Sequence, residues 1–251
     1  MISTVILTKN EEKSLAKCIE SVSFSQEIII IDNGSQDKTI SIAQKYATRI
    51  IEMSEKFNFS ELRNRGLMEA KNNWVLFIDA DERVSDELKS EILTISKNRK
   101  YAGYYIKRRD HWWGRTLRFG EVRHAYSLGF IRIIQKEAGI WSGVVHEVFQ
   151  TNKEVGLLRG YIEHYPHPTL KEFISDINDY SSRRASELYN QDISISIVEV
   201  LCVPPLKFLY TFFIQWGFVD GPPGFVYSFL MSFHSFLVRS KLYMMKSRID
   251  Y

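Results

Sequence analysis

The sequence predicts an α/β fold: a mostly parallel central sheet with helices on both faces, followed by a helical, aromatic-rich C-terminal region. Three observations carry this. Apolar runs alternate with amphipathic segments through the N-terminal part, the runs are continuous rather than alternating, and the connections are short. Strands covered on both faces read that way, and in such sheets ligands bind beyond the carboxyl ends of the strands.

The elements follow in order. Ile2–Leu7 reads as a strand, and Thr8-Lys9-Asn10-Glu11 has capping-box spacing ahead of a helix through Leu15, Ile19 and Val22. Glu27–Ile31 is a fully buried strand, "DNGSQDKT" breaks it, and Ile40–Tyr46 is helical. Arg49–Glu52 is a third strand, Ser60–Lys71 a helix and Trp74–Ile78 a fourth strand, with a further helix starting near Ser85. From Gly103 to Val148 short strands rich in aromatics and arginine indicate an antiparallel or mixed region. Thr169–Glu172 is a capping box opening a helix through Phe173, Ile177, Tyr180 and Leu188. The division expected is one domain over 1–165, in two parts over about 1–100 and about 101–165, and a helical region over 166–251.

Composition narrows the class. The chain of 251 residues is 45% hydrophobic and 25% charged with a net charge of +3, which excludes disordered and collagen-like readings and gives no case for nucleic acid. Cys18 and Cys202 are the only cysteines, too few for a disulfide framework or a thiolate zinc site. "MISTVILTKNEE" carries no secretory pattern, so a cytoplasmic catalytic part is expected. No uninterrupted apolar stretch reaches the roughly 18–20 residues of a spanning helix; Phe208–Val238 comes nearest and is broken by Asp220 and "GPPG".

Polar residues gather where the strands end. In "WVLFIDADERV", Asp79 and Asp81 follow a buried run, and two like charges there call for a positive partner. An Asp-x-Asp suits a hard divalent cation such as Mg²⁺ shared with substrate phosphates; the other reading is a helix N-cap. Asp32, in Asp32-Asn33-Gly34-Ser35, is placed to accept from a ribose or base, or to make a turn. Arg63 and Arg65, in "FSELRNRG", offer planar forks for phosphate oxygens, or form a solvated basic turn. Neither a G-x-G-x-x-G after the first strand nor a P-loop is present.

Together "VILTKNEE", "IIIIDNGSQDKT", "LRNRGL" and "WVLFIDADERV" resemble the family 2 glycosyltransferases, whose fold is the nucleotide-sugar-binding GT-A domain. "AGYYIKRRDHWWGR", "GVVHEVF", "HYPHPTLKEFISDINDYSS" and "GFVDGPPGFVYSFL" extend the resemblance to the bacterial lipopolysaccharide-core β-glucosyltransferase subgroup. The resemblance implies that Thr8, Asn10, Glu11 and Asp32 hold the nucleoside of a UDP-sugar and Arg63 its base or diphosphate. It further implies that Asp79 and Asp81 bind Mg²⁺ or Mn²⁺, so that metal and sugar nucleotide balance the carboxylates. An inverting transfer needs a base. The matching position is Glu147, with His146 orienting it or touching phosphate; Asp110 and Glu121 are the alternatives, because no "ED" occurs.

His164 and His167 read as loop residues rather than metal ligands. His111, Trp112, Trp113 and Arg115 form a candidate acceptor groove, with core packing as the other reading. Phe225, Phe229, Phe233, Phe236 and Leu237 recur at helical spacing ahead of Arg239, Lys241, Lys246 and Arg248, as in a helix lying on an anionic membrane leaflet; a helix packed against the catalytic domain or a dimer partner is the other reading. The expected partners are therefore a nucleotide-sugar donor, a glycan or lipid-linked acceptor, and peripheral contact with the inner face of the cytoplasmic membrane; assembly with a second copy is left open. A sugar-nucleotidyltransferase is the competing enzyme class, but "LTKNEEKS" lacks the Gly-rich triphosphate loop it needs. A non-catalytic membrane-bound scaffold is the third reading.

Overall fold

The computed structural model describes residues 1–47, 49–54, 57–95, 100–143, 147–166 and 169–247. In chain order the elements begin with β1 (Ile2–Thr8), α1 (Leu15–Ser21), β2 (Glu27–Asp32), α2 (Thr39–Tyr46), β3 (Arg49–Glu52), α3 (Phe59–Glu69) and β4 (Trp74–Asp79). They continue with β5 (Glu82–Val84), α4 (Asp86–Ile95), β6 (Gly103–Trp112), β7 (Arg115–Leu117), α5 (Arg123–Ser127), β8 (Phe130–Gln135), β9 (Ile140–Ser142), β10 (Val148–Gln150) and β11 (Val155–His164). Three helices close the chain: α6 (Leu170–Asn190), α7 (Ile197–Leu209) and α8 (Gly221–Ser247). The chain forms two compact units, Met1–Arg109 with Ser127–His164, and Asp110–Tyr126 with Tyr165–Tyr251.

The first unit holds the sheet, in the order β3-β2-β1-β4-β8-β6-β11-β5. β1, β2, β3 and β4 run parallel, with Thr8 opposite Asp32 and Leu7 opposite Asp79, so the polar ends of these strands lie at one edge. β8 then joins β4 antiparallel, and β6 joins β8 likewise. Alternate residues face two separate cores. Ile6, Ile30 and Ile78 meet α1, α2 and α4, while Val5, Ile29 and Phe77 meet α3. Burial on both faces is why these strands read as unbroken apolar runs.

Two local expectations are corrected here. Thr8 and Glu11 do not cap α1; its N-cap is Ser14, without a side-chain hydrogen bond, and the Thr8–Glu12 turn joins the loop after β2 instead. The segment expected to lead straight from Asp81 into a helix contains β5, which pairs antiparallel with the end of β11, Glu82 opposite His164.

In the second unit the last residues of β6 and β7 form a hairpin, Trp112 opposite Arg115, closed by Trp113 (φ 48°) and Gly114 (φ 71°). Both central residues at positive φ define a type I′ turn, whose twist matches the strands it joins. Trp112 is buried against Phe173 and Tyr227 in a core built by α6 and α8. The Thr169–Glu172 capping box forms as expected. α7 continues as one π-helical turn over Tyr210–Ile214, and α8 begins at Gly221 with Pro222 and Pro223 in its first turn, where missing N–H groups cost nothing.

The membrane-related expectations shift. Residues Ile197–Ile214 make a helix of 18 residues with mean hydropathy 1.7, long and apolar enough to cross a membrane, and only 17% of it is buried. Glu199 and Lys207 interrupt the run, which hides it from a search for uninterrupted apolar residues. The basic residues expected to face a leaflet are engaged within the unit. Lys241 Nζ donates to Asn178, Ser181 and Ser182 of α6, Lys246 Nζ to Asp192, and Arg239 to Ser235; Arg248 lies outside the described residues.

Candidate active site

The carboxyl edge of the parallel strands is assembled from loops that bind one another. After β1, Asn10 takes a left-handed conformation (φ 56°) and its N–H donates to Ser35 Oγ, while its Oδ1 accepts from the Gln36 N–H at 2.8 Å. Glu11 N–H donates to Thr39 Oγ1, also at 2.8 Å. Asp32 is buried and turns back on its own loop, accepting from the N–H groups of Gly34 and Ser35 and from the Ser35 hydroxyl. The "DNGS" turn reading is therefore what the Asp32 carboxylate shows.

Arg63 enters from α3. Asn58 and Glu61 form a capping box that starts the helix at Phe59. Gly66 sits where a Cβ would overlap the Val5 side chain, so α3 lies close on β1. Arg63 then reaches the sheet edge almost fully buried, its guanidinium 5.1 Å from the Trp141 ring and 5.9 Å from Phe77. Its Nη2 donates to Asp79 Oδ1 at 3.1 Å and its Nε to Glu147 Oε1 at 3.0 Å. Arg65, by contrast, points to a surface pair with Glu69.

A second arginine, Arg132 on β8, completes the cluster. Its Nη2 donates to Asp79 Oδ2 and to Glu82 Oε1, each at 2.9 Å. Glu82 is fully buried, and its Oε2 accepts the Asp79 N–H at 2.9 Å, which shapes the Asp79-Ala80-Asp81 turn. Burial alone would push the Asp79 carboxyl up, but Arg132 and then Arg63 overcome it and hold it well below the usual range. Burial does raise the Glu82 carboxyl, against the pull of Arg132. The positive partner of Asp79 is thus a pair of arginines, and both its oxygens are engaged by them.

Asp81 carries the second carboxylate of the motif. Its Oδ2 lies 3.1 Å from His164 Nε2, at the end of β11, and His164 outweighs burial to hold the Asp81 carboxyl low. A carboxylate beside an imidazole suits a transition ion such as Mn²⁺ better than Mg²⁺. Among the described residues no group of three or more such ligands exists, so remaining positions would fall to phosphate and water. Among the described residues, Thr8 Oγ1, Asn33 Oδ1, Arg63 Nη1 and Arg132 Nη1 are buried at this edge without a hydrogen-bond partner. Such groups are costly unless something polar meets them.

Of the expected site residues, Thr8, Asn10, Glu11, Asp32, Arg63, Asp79, Asp81 and Glu147 come to this edge, while His146 lies outside the described residues. Trp112, Trp113 and Arg115 belong to the second unit. Arg132 and Glu82 are additional; His164, expected in a loop, instead ends β11 beside Asp81, and His167 lies outside the described residues. A cation within the apolar run "GFIRIIQ" was the signal for Arg132, since a buried charge requires a partner.

Residues 3–155 match the family model for glycosyl transferase family 2. An uncharacterised glycosyltransferase of Rickettsia typhi is 32% identical, over 96% of this chain and 86% of its own. The lipopolysaccharide core biosynthesis glycosyltransferase LpsC of Rhizobium meliloti is 29% identical, over 96% of this chain and 92% of its own. Among solved structures, glucosyl-3-phosphoglycerate synthase from Mycobacterium tuberculosis, in complex with Mn²⁺, UDP and glucosyl-3-phosphoglycerate, superposes with a TM-score of 0.50 at 17% identity, covering 78% of this chain and 81% of that one. The chain belongs to glycosyltransferase family 2 and has the GT-A fold of that family.

Proposed function

We propose that the protein is an inverting, metal-dependent transferase that moves a sugar, glucose first among candidates, from a UDP-sugar to a hydroxyl of a glycan or lipid-linked acceptor during assembly of lipopolysaccharide or a related envelope polysaccharide. The observation that carries it is the reach of Arg63 between Asp79 and Glu147, which ties the strand-end carboxylate to the base position. The similarity to LpsC supports the class of acceptor, and the UDP and Mn²⁺ of the mycobacterial synthase support the donor and metal.

In this reading the turns after β1 and β2 hold the nucleoside, with Thr8 Oγ1 and Asn33 Oδ1 meeting its polar groups. The unpartnered Nη1 atoms of Arg63 and Arg132 donate to the diphosphate. Asp81 and His164 hold the divalent cation, which supplies Lewis-acid charge against the leaving diphosphate. Asp79 serves as the anchor of the two arginines. Arg63 fixes Glu147 through Oε1, and Oε2 takes the proton of the acceptor hydroxyl as its oxygen bonds to the anomeric carbon and the diphosphate leaves with the old bond's electrons.

The same reading places the protein peripherally at the cytoplasmic face of the inner membrane. Its contact would be the exposed apolar surface of α7 and the turns after it, including Leu201, Leu206, Phe213, Ile214 and Trp216, with Phe225 and Phe229 of α8.

Calorimetric titration with UDP, GDP, dTDP and UDP-glucose, with and without Mn²⁺, tests the donor half. UDP binding that requires Mn²⁺ and is lost in Asp81→Asn and His164→Ala is expected. Binding that ignores the metal would remove the Asp81–His164 assignment, and no nucleotide binding would remove the transferase reading.

A further inference from the structure

The second unit contains a cavity of about 260 Å³ lined by Arg115, Thr116, Arg118, Phe119, Val219 and Asp220. It lies just under the roughly 300 Å³ at which pockets for drug-sized ligands begin, the scale of one sugar unit rather than an oligosaccharide. Among the described residues neither Arg115 nor Arg118 has an ion-pair partner. The nearby acid Glu121 is engaged by Lys207 at 2.9 Å. Arg115 lies beside Gly221, whose positive φ (70°) and a Cβ position 3.0 Å from Arg115 Nη1 keep that wall without a side chain.

Asp220 is buried and built into the wall. Its Oδ2 accepts the N–H groups of Arg118 and Phe119, both at 2.9 Å, which fixes the segment carrying Arg118 and leaves Oδ1 to accept from a hydroxyl. Phe119, whose N–H Asp220 holds, lines the same pocket and gives it an aromatic ring.

We propose that this pocket binds a phosphorylated sugar unit, its phosphate on the forks of Arg115 and Arg118, a hydroxyl on Asp220 and its ring against Phe119. That this unit belongs to the acceptor rests on the transferase reading above; the ligand class rests on the pocket alone. Two guanidinium groups without an ion-pair partner among the described residues select an oxyanion, while the Asp220 carboxylate and the Phe119 ring in the same lining select a sugar over inorganic phosphate.

Calorimetric titration with glucose 6-phosphate, glucose and inorganic phosphate as probes tests this in the full chain, with UDP and Mn²⁺ binding measured in parallel. Saturable binding of glucose 6-phosphate is expected, with glucose and phosphate each about tenfold weaker, and a loss of about tenfold in Arg115→Gln/Arg118→Gln while UDP binding stays. Equal affinity for glucose, or no loss in the double variant, would overturn the proposal. Preference for phosphatidylcholine vesicles containing phosphatidic acid over glucose 6-phosphate would overturn the sugar and assign a lipid headgroup. Loss of UDP binding in the unmodified chain would strike the donor reading and leave this pocket untouched.

Discussion

The two units handle unfavourable groups in opposite ways. At the sheet edge of the first, charges are held by partners: the buried Glu82, Arg63 and Arg132 form one cluster with the half-buried Asp79, and Glu147 joins it through Arg63. On the second, large apolar side chains of α7 and α8 lie exposed, and the basic residues of α8 are turned to its own neighbours. Buried ion pairs contribute little net stability, and exposed apolar surface contributes none, so neither arrangement is explained by folding. In the proposed function the first meets a charged donor and the second an apolar surface.

The largest test of that contrast is Arg132→Ala. It leaves the fully buried Glu82 with only Arg108 at 3.6 Å, while Asp79, one-third exposed, keeps Arg63 and water, and a loss of about 3 kcal/mol in urea unfolding is expected. A loss under about 1 kcal/mol would mean that water already solvates the cluster and that the edge is not preorganised. Glu147→Gln comes next. It keeps a group able to accept from Arg63, so UDP binding should persist while transfer falls by about 10²–10⁴. Full turnover would move the base to Asp110 or Glu121.

How much of this was legible follows from the same contrast. The parallel strands announced themselves because burial on both faces demands unbroken apolar runs, as in Glu27–Ile31. β5 did not, because its three residues carry no apolar pattern and are held by pairing with β11. His164 stands 83 residues from Asp81, and only that pairing brings them together. The Asp-x-Asp motif was visible as a demand for positive charge, but its supplier, Arg132, lay in a strand whose neighbours in the sheet no local spacing reveals. In the second unit the aromatic stripe of α8 was legible; the engagement of Lys241 by α6 was not, because helix packing is set by tertiary contacts.

On the second unit smaller effects are expected. Leu206→Ser with Phe213→Ser should change stability by no more than about 0.5 kcal/mol, since both side chains are exposed, yet abolish sedimentation with lipid vesicles. Because Lys241 and Lys246 are engaged, attachment should survive high salt; release by salt alone would restore the electrostatic reading. Unchanged sedimentation of the double variant would move the contact elsewhere.

The mildest test uses cysteines already present. Cys18 is buried, and burial with the nearby carboxylates Glu82, Asp81 and Asp79 raises its thiol well above the usual range, so little reactive thiolate exists. Cys202 is exposed on α7, between Leu201 and Val203. A maleimide should therefore label one cysteine of the folded chain and both after unfolding. If α7 faces lipid, anionic vesicles should slow the single reaction at Cys202 several-fold without altering unfolding. Unchanged labelling with the protein bound to vesicles would place α7 in water and leave α8, through Phe225 and Phe229, as the apolar surface to test.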